Sequence, residues 1–501
     1  MEDKEITKRN LWLFPLGTVG RDMVYNLVTY FLLSFVLYTK GLNTAQLGVI
    51  TVIMIAARVF DALNDPIMGN IIERTRTRWG KFKPWLVIGI LTTSVVIYLT
   101  FNLDLRGWAF VVFFGVIYFL YSITYTMHDI SYWGMIPALS SDADTRNKFT
   151  ARTTLFAGIG GLTATALIPK LTNGDSAIGG DALTAYGVIA LVIAILAPAF
   201  LAITVFGVKE QRNINDEPAP HVSFKKIWST ITGNDQLLWI SLILLIQQVG
   251  NGIVLSGIGQ NYIYMEFGYE GGLFSTFQIV GMAVTGILMI FYPVISRRLQ
   301  RKRFMDIMML VSTLGYAFML FAYLFMQKGS GSLAGFDMKF VVVTLGYMLA
   351  NFGQYGFYLI MMISVMNTVE YNELKRGTRD EGIISSLRPF ITKLASALYV
   401  AIAYLTYVIF NILQYTNGIS DIETEANRHL ITDVEKNQKI AELLQGVEPS
   451  QSGGLLLVMT VLPFLLMLIS YLLYKKHYTL DEPEYDRICK ELETKKKERK
   501  A

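Results

Sequence analysis

The sequence predicts an all-α membrane protein of twelve spans arranged as two six-helix bundles. Three observations carry that expectation. The 501 residues are 53% hydrophobic and only 17% charged, with a mean hydropathy of +0.42, whereas soluble chains carry roughly a quarter charged residues. Apolar runs of the roughly 18–20 residues that cross a bilayer as helix recur along the chain. One long polar stretch, VKEQRNINDEPAPHVSFKKIWSTITGNDQ at 208–236, divides those runs six and six.

The twelve runs lie near 11–38, 45–71, 85–103, 108–138, 153–170, 185–207, 237–263, 272–296, 306–326, 339–366, 383–415 and 454–474. The first is too long for the apolar core of a signal peptide and lacks a small-residue cleavage pattern, so it reads as a retained span. The expected organisation is an N-terminal bundle at 1–207, a central cytoplasmic loop at 208–236, a C-terminal bundle at 237–474 and a cytoplasmic tail at 475–501. The lone cysteine, Cys489, lies in that tail, which excludes an intramolecular disulfide and a cysteine metal cluster.

Lysine and arginine placement orients the spans. The connection after span 2, ERTRTRWGKFKPW, holds Arg74, Arg76, Arg78, Lys81 and Lys83; the one after span 8, RRLQRKRF, holds Arg297, Arg298, Arg301, Lys302 and Arg303. Connections of the opposite parity, such as GLNTAQ and EFGYEGG, are poor in both residues. Both termini are therefore expected in the cytoplasm of a cell (plasma or inner) membrane protein. The two densest basic connections occupy corresponding places in the two halves, the mark of a duplicated bundle. A net charge of +5 is accounted for by this placement and calls for no nucleic acid. The long stretch before the last span, within 416–453, reads as a polar external surface excursion; an amphipathic helix through Ile431, Val434, Ile440, Leu443 and Leu444 is the alternative.

Charged residues inside spans cost roughly 2.5–3.5 kcal/mol each on insertion scales, so they are functional candidates. They are unevenly spread. Arg21 and Asp22 lie in span 1, Arg58, Asp61 and Asp65 in span 2, and Asp129 in span 4, against Arg388 and Lys393 in span 11. In RVFDALNDPIMG, Asp61, Asn64 and Asp65 fall on one helical face. With a hydroxyl from another helix they make a hard, all-oxygen site, suited to Na+, Li+ or a proton rather than to a transition metal. Pro66 frees a carbonyl one turn earlier, which could bend the helix or add an oxygen. A structural pairing with Arg58 and Arg21 is the competing explanation of the two acids. In span 4, Thr126, Asp129 and Trp133 form one stripe: threonine offers the hydroxyl, aspartate can bridge two sugar hydroxyls, and tryptophan can stack on a pyranose face. A core or interface role is the alternative for Trp133.

LGTVGRDMVYN, RVFDALNDPIMG, ERTRTRWGKFKPW, TYTMHDISYWGMIPAL and EYNELKRGTRDEGIISSLRPFITK together resemble the glycoside–pentoside–hexuronide:cation symporters, and among them the melibiose-permease type. The resemblance runs nearly end to end. It implies the major facilitator fold and alternating access. It implies a cation site of Asp61, Asn64, Asp65 and Thr126, and a sugar site built on Asp22 and Asp129 with Arg152 and Trp133 nearby. Arg21 and Arg58 would be charge partners, Lys393 the charged residue of the second half, and the loop with Arg74, Arg78 and Lys81 a cytoplasmic gate. Departures are also present. Tyr358, counted with the sugar residues, stands where that type has tryptophan; Ser122 replaces a glycine beside the cation site, and Asn367 an acid. His128 adds a titratable group beside Asp129. Arg388 has no counterpart and lies about one and a half turns from Lys393, where it could hold a carboxylate. The phosphotransferase-like domain fused to some lactose carriers is expected to be absent, because the sequence ends with DEPEYDRICKELETKKKERKA.

The leading expectation is a sugar transporter driven by a cation, Na+ first and Li+ or H+ as alternatives, with a neutral glycoside as substrate, no other cofactor, and a functional monomer in the bilayer. A proton-coupled hexuronide carrier is the second reading, and a sugar sensor that does not transport is the third. A membrane-embedded enzyme is set aside: the spans hold no cysteine, HExxH or Ser/His/Asp arrangement, and His128 is their only histidine.

Overall fold

The computed structural model describes residues 2–140, 142–209, 229–329 and 331–498, so most of the polar stretch expected at 208–236 lies outside the described residues. The elements are α1 (Glu2–Asn26), α2 (Leu32–Thr39), α3 (Thr44–Arg74), α4 (Lys83–Asn102), α5 (Gly107–Leu139), α6 (Ala143–Thr172), α7 (Ala182–Gly207), α8 (Asp235–Ile253) and α9 (Gly259–Phe267). They continue with α10 (Gly271–Arg298), α11 (Arg301–Phe325), a two-stranded antiparallel hairpin of β1 (Ser332–Leu333) and β2 (Phe336–Asp337), α12 (Met338–Arg376) and α13 (Glu381–Ile409). The last are α14 (Leu413–Asn427), α15 (Asp433–Gln445), α16 (Pro449–His477) and α17 (Glu482–Glu498). Twelve helical segments among the described residues are long and apolar enough to cross a membrane.

Helix starts are written in the short polar connections. Asn43 and Gln46 form a reciprocal capping box at α3; Asp181 caps α7 through Thr184 N, and Asn234 caps α8 through Leu237 N. Spans 1 and 7 are each interrupted by a wider turn in their later part, at Leu27–Phe31 and at Val254–Ile258. Gly257 carries φ of 96° within the second turn, a conformation that a side chain would disfavour. Matching breaks in matching spans fit the internal repeat read from the basic connections.

The described residues form two compact units. The first holds those of Met1–Ala219, Ile263–Gln278 and Tyr407–Glu448; the second holds those of Pro220–Tyr262, Ile279–Thr406 and Pro449–Ala501. In the first, α1 packs along α6 and α7, α4 along α7, and α5 along α3 and α4. Side-chain volume at the α1–α6 crossing is the limiting factor: a Cβ at Gly160 would sit 2.3 Å from the Val19 carbonyl oxygen. Such close approach is how helices gain contact where lipid competes for apolar surface. In the second unit, α11 lies along α12 and α16 along α8. The stretch expected as a plain tail contains α17, whose Ile488 and Leu492 join the core of that unit, and Arg301 meets Glu482 at its start.

The 416–453 excursion also differs from its first reading. It holds two helices, because the Thr432–Glu435 capping box starts α15 and the 413–427 stretch has its own apolar face. Of the residues expected to line an amphipathic helix, Ile440 is buried and Leu443 lies against Gly418, whereas Val434 is exposed and Ile431 only partly buried.

The Gly160 contact gives a direct expectation. Gly160→Leu must push α6 off α1, at a cost of about 1–3 kcal/mol. The thermal unfolding midpoint of the purified protein should fall, and a conservative change at Gly158, which has open space around it, should leave the midpoint unchanged.

Candidate functional site

The ionisable residues of spans 1, 2 and 4 converge inside the first unit. Arg21, on α1, is buried. Its Nε and Nη2 donate to Asp22 Oδ2 at 3.0 and 2.7 Å, and its Nη1 donates to Asp129 Oδ1 of α5 at 2.8 Å. The guanidinium also lies over the rings of Tyr132 and Trp133, at 5.5 and 5.1 Å from their centroids. One cation thus gathers the two expected sugar acceptors and the expected stacking residue. Planar, fully charged arginine suits this because its donors reach two carboxylates while its face rests on an aromatic ring.

The second cluster joins α3 to α5. Ser122 Oγ donates to Asp61 Oδ1, and Thr126 Oγ1 donates to Asp65 Oδ1 at 3.3 Å. Both pairs are separated by 61 positions, so two rungs of hydroxyl and carboxylate stand one helical turn apart. Arg58 Nη1 is 3.6 Å from Asp61 Oδ2. Asn64 is buried beside them, and its Nδ2 has no hydrogen-bond partner, so its amide is available to turn toward a ligand. Pro66 lies within α3 without ending it.

Along α5, Ser122, Thr126, Asp129 and Trp133 therefore occupy successive turns, with two positions serving the carboxylates of α3 and two serving the Arg21 cluster. The sequence marks Ser122 only as a departure; four-residue spacing places it on the Thr126 face of α5, and the packing of α5 against α3 sets it opposite Asp61. His128 faces elsewhere. It is fully buried, its Nδ1 is 3.4 Å from Thr124 O, and α4 backs onto it at Gly89. Adjacency to Asp129 in sequence does not become a contact, because neighbours on a helix diverge by about 100°.

Arg152 does not join the Arg21 cluster. Its Nη1 donates to Leu11 O at 3.2 Å and its guanidinium stacks on Trp12 at 4.4 Å, about 16 Å along α1 from Asp22 by helix rise. Arg74 ends α3, while Arg78 and Lys81 lie in the following turn, Arg78 exposed and Lys81 over the Phe82 ring at 4.9 Å. In the second unit, Arg388 is exposed and its Nε donates to the Tyr358 hydroxyl at 3.1 Å; Tyr355 packs on Tyr358 at 5.9 Å between centroids. Glu370, at the end of α12, is bound by Arg379, which also takes Glu373 and Glu381. Lys393 is partly buried on the same helix as Arg388.

Loss of Arg21 isolates two carboxylates at once. Arg21→Met should cost about 3 kcal/mol, the scale for breaking a buried ion pair. Adding Asp129→Asn should return part of that loss, and a double-mutant cycle on unfolding midpoints reads the coupling.

Comparison with known proteins bears on the chain as a whole. The lactose permease of Leuconostoc lactis is 31% identical over 406 residues, covering 77% of this chain and 60% of that protein. The chain thus spans about three fifths of that relative's length. An inner membrane symporter of Escherichia coli, YicJ, is 28% identical over 235 residues, 46% of this chain and 49% of that protein. Among solved structures, a bacterial homologue of the human lysosomal transporter Spinster, inward-facing and unoccupied, superimposes with a TM-score of 0.56 at 12% identity over 95% of this chain and 99% of that one, a likeness of fold. The family model described as MFS/sugar transport protein matches residues 13–482, a stretch that includes both carboxylate clusters and all twelve spans except the first few residues of span 1. With twelve apolar helices, paired acids in the first unit and this match over nearly its whole length, the chain belongs to the MFS/sugar transport protein family.

Proposed function

We propose that the chain is a secondary carrier that couples uptake of a glycoside to inward movement of a monovalent cation, Na+ first, by alternating access, with both termini in the cytoplasm. The single observation that carries this reading is the pair of hydroxyl–carboxylate rungs on α3 and α5, one turn from the Arg21-bridged acids. Asp61, Asp65, Asn64, Thr126 and Ser122 supply hard oxygens without imidazole or thiolate, which suits an alkali cation. Asp22 and Asp129 would accept sugar hydroxyls and Trp133 would stack on the ring, each in exchange for part of its contact with Arg21. Relatives that bear the names lactose permease and symporter support the class.

Because both clusters share α5, a cation that draws Ser122 and Thr126 toward it alters the stretch that carries Asp129 and Trp133. Coupling of this kind is reciprocal: the factor by which the cation raises sugar affinity equals the factor by which sugar raises cation affinity. One inward positive charge gains about 2.3 kcal/mol per 100 mV of membrane potential.

A second reading of the substrate rests on Arg388. Its Nε anchor on Tyr358 orients the guanidinium, and an oriented fork recognises a carboxylate through two parallel bonds. That favours a hexuronide, with H+ as the coupling ion in that case. The parts of Arg152 and Lys393 in sugar binding, and of Arg74, Arg78 and Lys81 in gating, are proposals of the same kind.

Uptake of labelled glycosides and glucuronides into membrane vesicles, each with a Na+, Li+ or proton gradient, tests the reading. Accumulation against a gradient is expected; equilibration without accumulation would mark an uncoupled facilitator, and binding without uptake a sugar sensor. Asp61→Cys and Asp65→Cys should each abolish cation stimulation; intact stimulation would sink the cation site. Ser122→Ala should raise the Na+ concentration for half-maximal uptake by roughly tenfold, about 1.4 kcal/mol for one lost oxygen. Arg388→Ala should weaken an acidic glycoside and spare a neutral one; equal effects on both remove the hexuronide reading.

A further inference from the structure

The α14–α15 segment is not a free excursion but a cap laid on the first unit. Asn417 Nδ2 donates to Leu42 O at 3.0 Å, in the connection between α2 and α3. Arg106 Nη2, from the connection between α4 and α5, donates to Thr424 Oγ1 at 3.0 Å. Asn427 Nδ2 reaches Asp181 Oδ1 and Thr184 Oγ1 at 3.1 and 3.0 Å, at the start of α7. The cap therefore grips three separate connections of this unit.

Two charged side chains are buried under it. Glu423 is 0% exposed and Lys436 is 1% exposed. They do not form an ion pair with each other. Lys436 Nζ donates to Gly180 O at 2.6 Å and to Gly174 O at 3.5 Å. Glu423 Oε2 accepts from Ala182 N at 2.8 Å, and Oε1 has no hydrogen-bond partner. An ionised carboxylate left half-satisfied in a buried interface is costly, whereas its protonated form removes the charge.

Groups facing Glu423 come from every element around it. Lys436 approaches from α15, Asp181 and Tyr186 from the start of α7, and Tyr269, which donates to Asn173 Oδ1, from the connection before α10. Arg106 touches the neighbouring Thr424, and Asp433 lies against Gly180. Burial pushes the carboxyl up, Lys436, the Ala182 amide and the Tyr269 hydroxyl hold it down, and Asp181 raises it again, for a value of about 7.

We propose that α14–α15 is a proton-sensitive clasp: with Glu423 protonated it grips the connections of the first unit, and with Glu423 ionised the grip loosens. The direction follows from linkage. Undocked, the carboxyl titrates near its ordinary 4.5; docked, near 7. Docking is therefore strongest below the lower value, weakens as pH rises through the interval, and is constant above about 7. The change is up to about tenfold in the opening equilibrium per pH unit. This device works without reference to any transported solute.

Hydrogen exchange of the purified full chain, followed by mass spectrometry over residues 413–445 from pH 4.5 to 8 with correction for intrinsic rates, reads it directly. Protection in that segment should fall between pH 5 and 7 and then level off, while α11 and α12 stay unchanged. Glu423→Gln, neutral at every pH, should hold the acid-form protection throughout. A flat wild-type profile overturns the proposal, as does a Glu423→Gln profile as steep as the wild type. Should that variant fail to accumulate, Asp181→Asn keeps the helix cap and removes the acid that raises Glu423; its transition must move to lower pH, and an unmoved midpoint overturns the clasp.

Discussion

Everything in the first unit is arranged around the contact of Arg21 with Asp22 and Asp129. Three charges in the middle of membrane helices are individually costly, and together they are tolerable only because one guanidinium satisfies both carboxylates and rests on aromatic rings. That requirement sets the approach of α1 to α5. It also means that this polar cluster is satisfied internally, so in the proposed carrier a sugar would have to exchange its own hydroxyls for existing bonds. Such exchange is a difference of similar terms, which gives selectivity without requiring very tight binding.

The α3–α5 rungs obey the same constraint by different means. Asp61 has Arg58 nearby and Ser122 as donor; Asp65 has Thr126. Hydroxyls can rotate to present a lone pair instead of a proton, so the same two side chains can satisfy carboxylates or complete an oxygen shell around a cation. In the proposed carrier, placing both jobs on α5 would put a cation and a sugar within two turns of one rigid element. A rigid element with two arrangements is what coupling between sites needs.

The polar connections show how far charge placement reaches beyond the spans. The cap formed by α14 and α15 closes over Glu423 and Lys436, and α17 brings Ile488 and Leu492 into the core of the second unit. In both cases polar sequence covers an apolar or charged interior, and the stabilising partner lies hundreds of positions away. Arg379, gathered by Glu370, Glu373 and Glu381, by contrast closes the connection between α12 and α13 with partners only two to nine positions away.

By itself the sequence determined what depends on composition and short-range periodicity. Twelve spans are legible because the bilayer demands length and apolarity over contiguous residues. The shared face of Asp61, Asn64 and Asp65, and the stripe of Thr126, Asp129 and Trp133, are legible because helical spacing alone sets them. Tertiary structure decided what depends on which helices touch and at what height. It matched Ser122 to Asp61, held Arg152 on Leu11 and Trp12 instead of beside Asp22, and turned His128 into the α4 contact. It also folded the 413–445 stretch onto connections far away in the chain. No periodicity encodes such pairings: the register between two helices is chosen by packing volume and by the need to satisfy every buried charge at once.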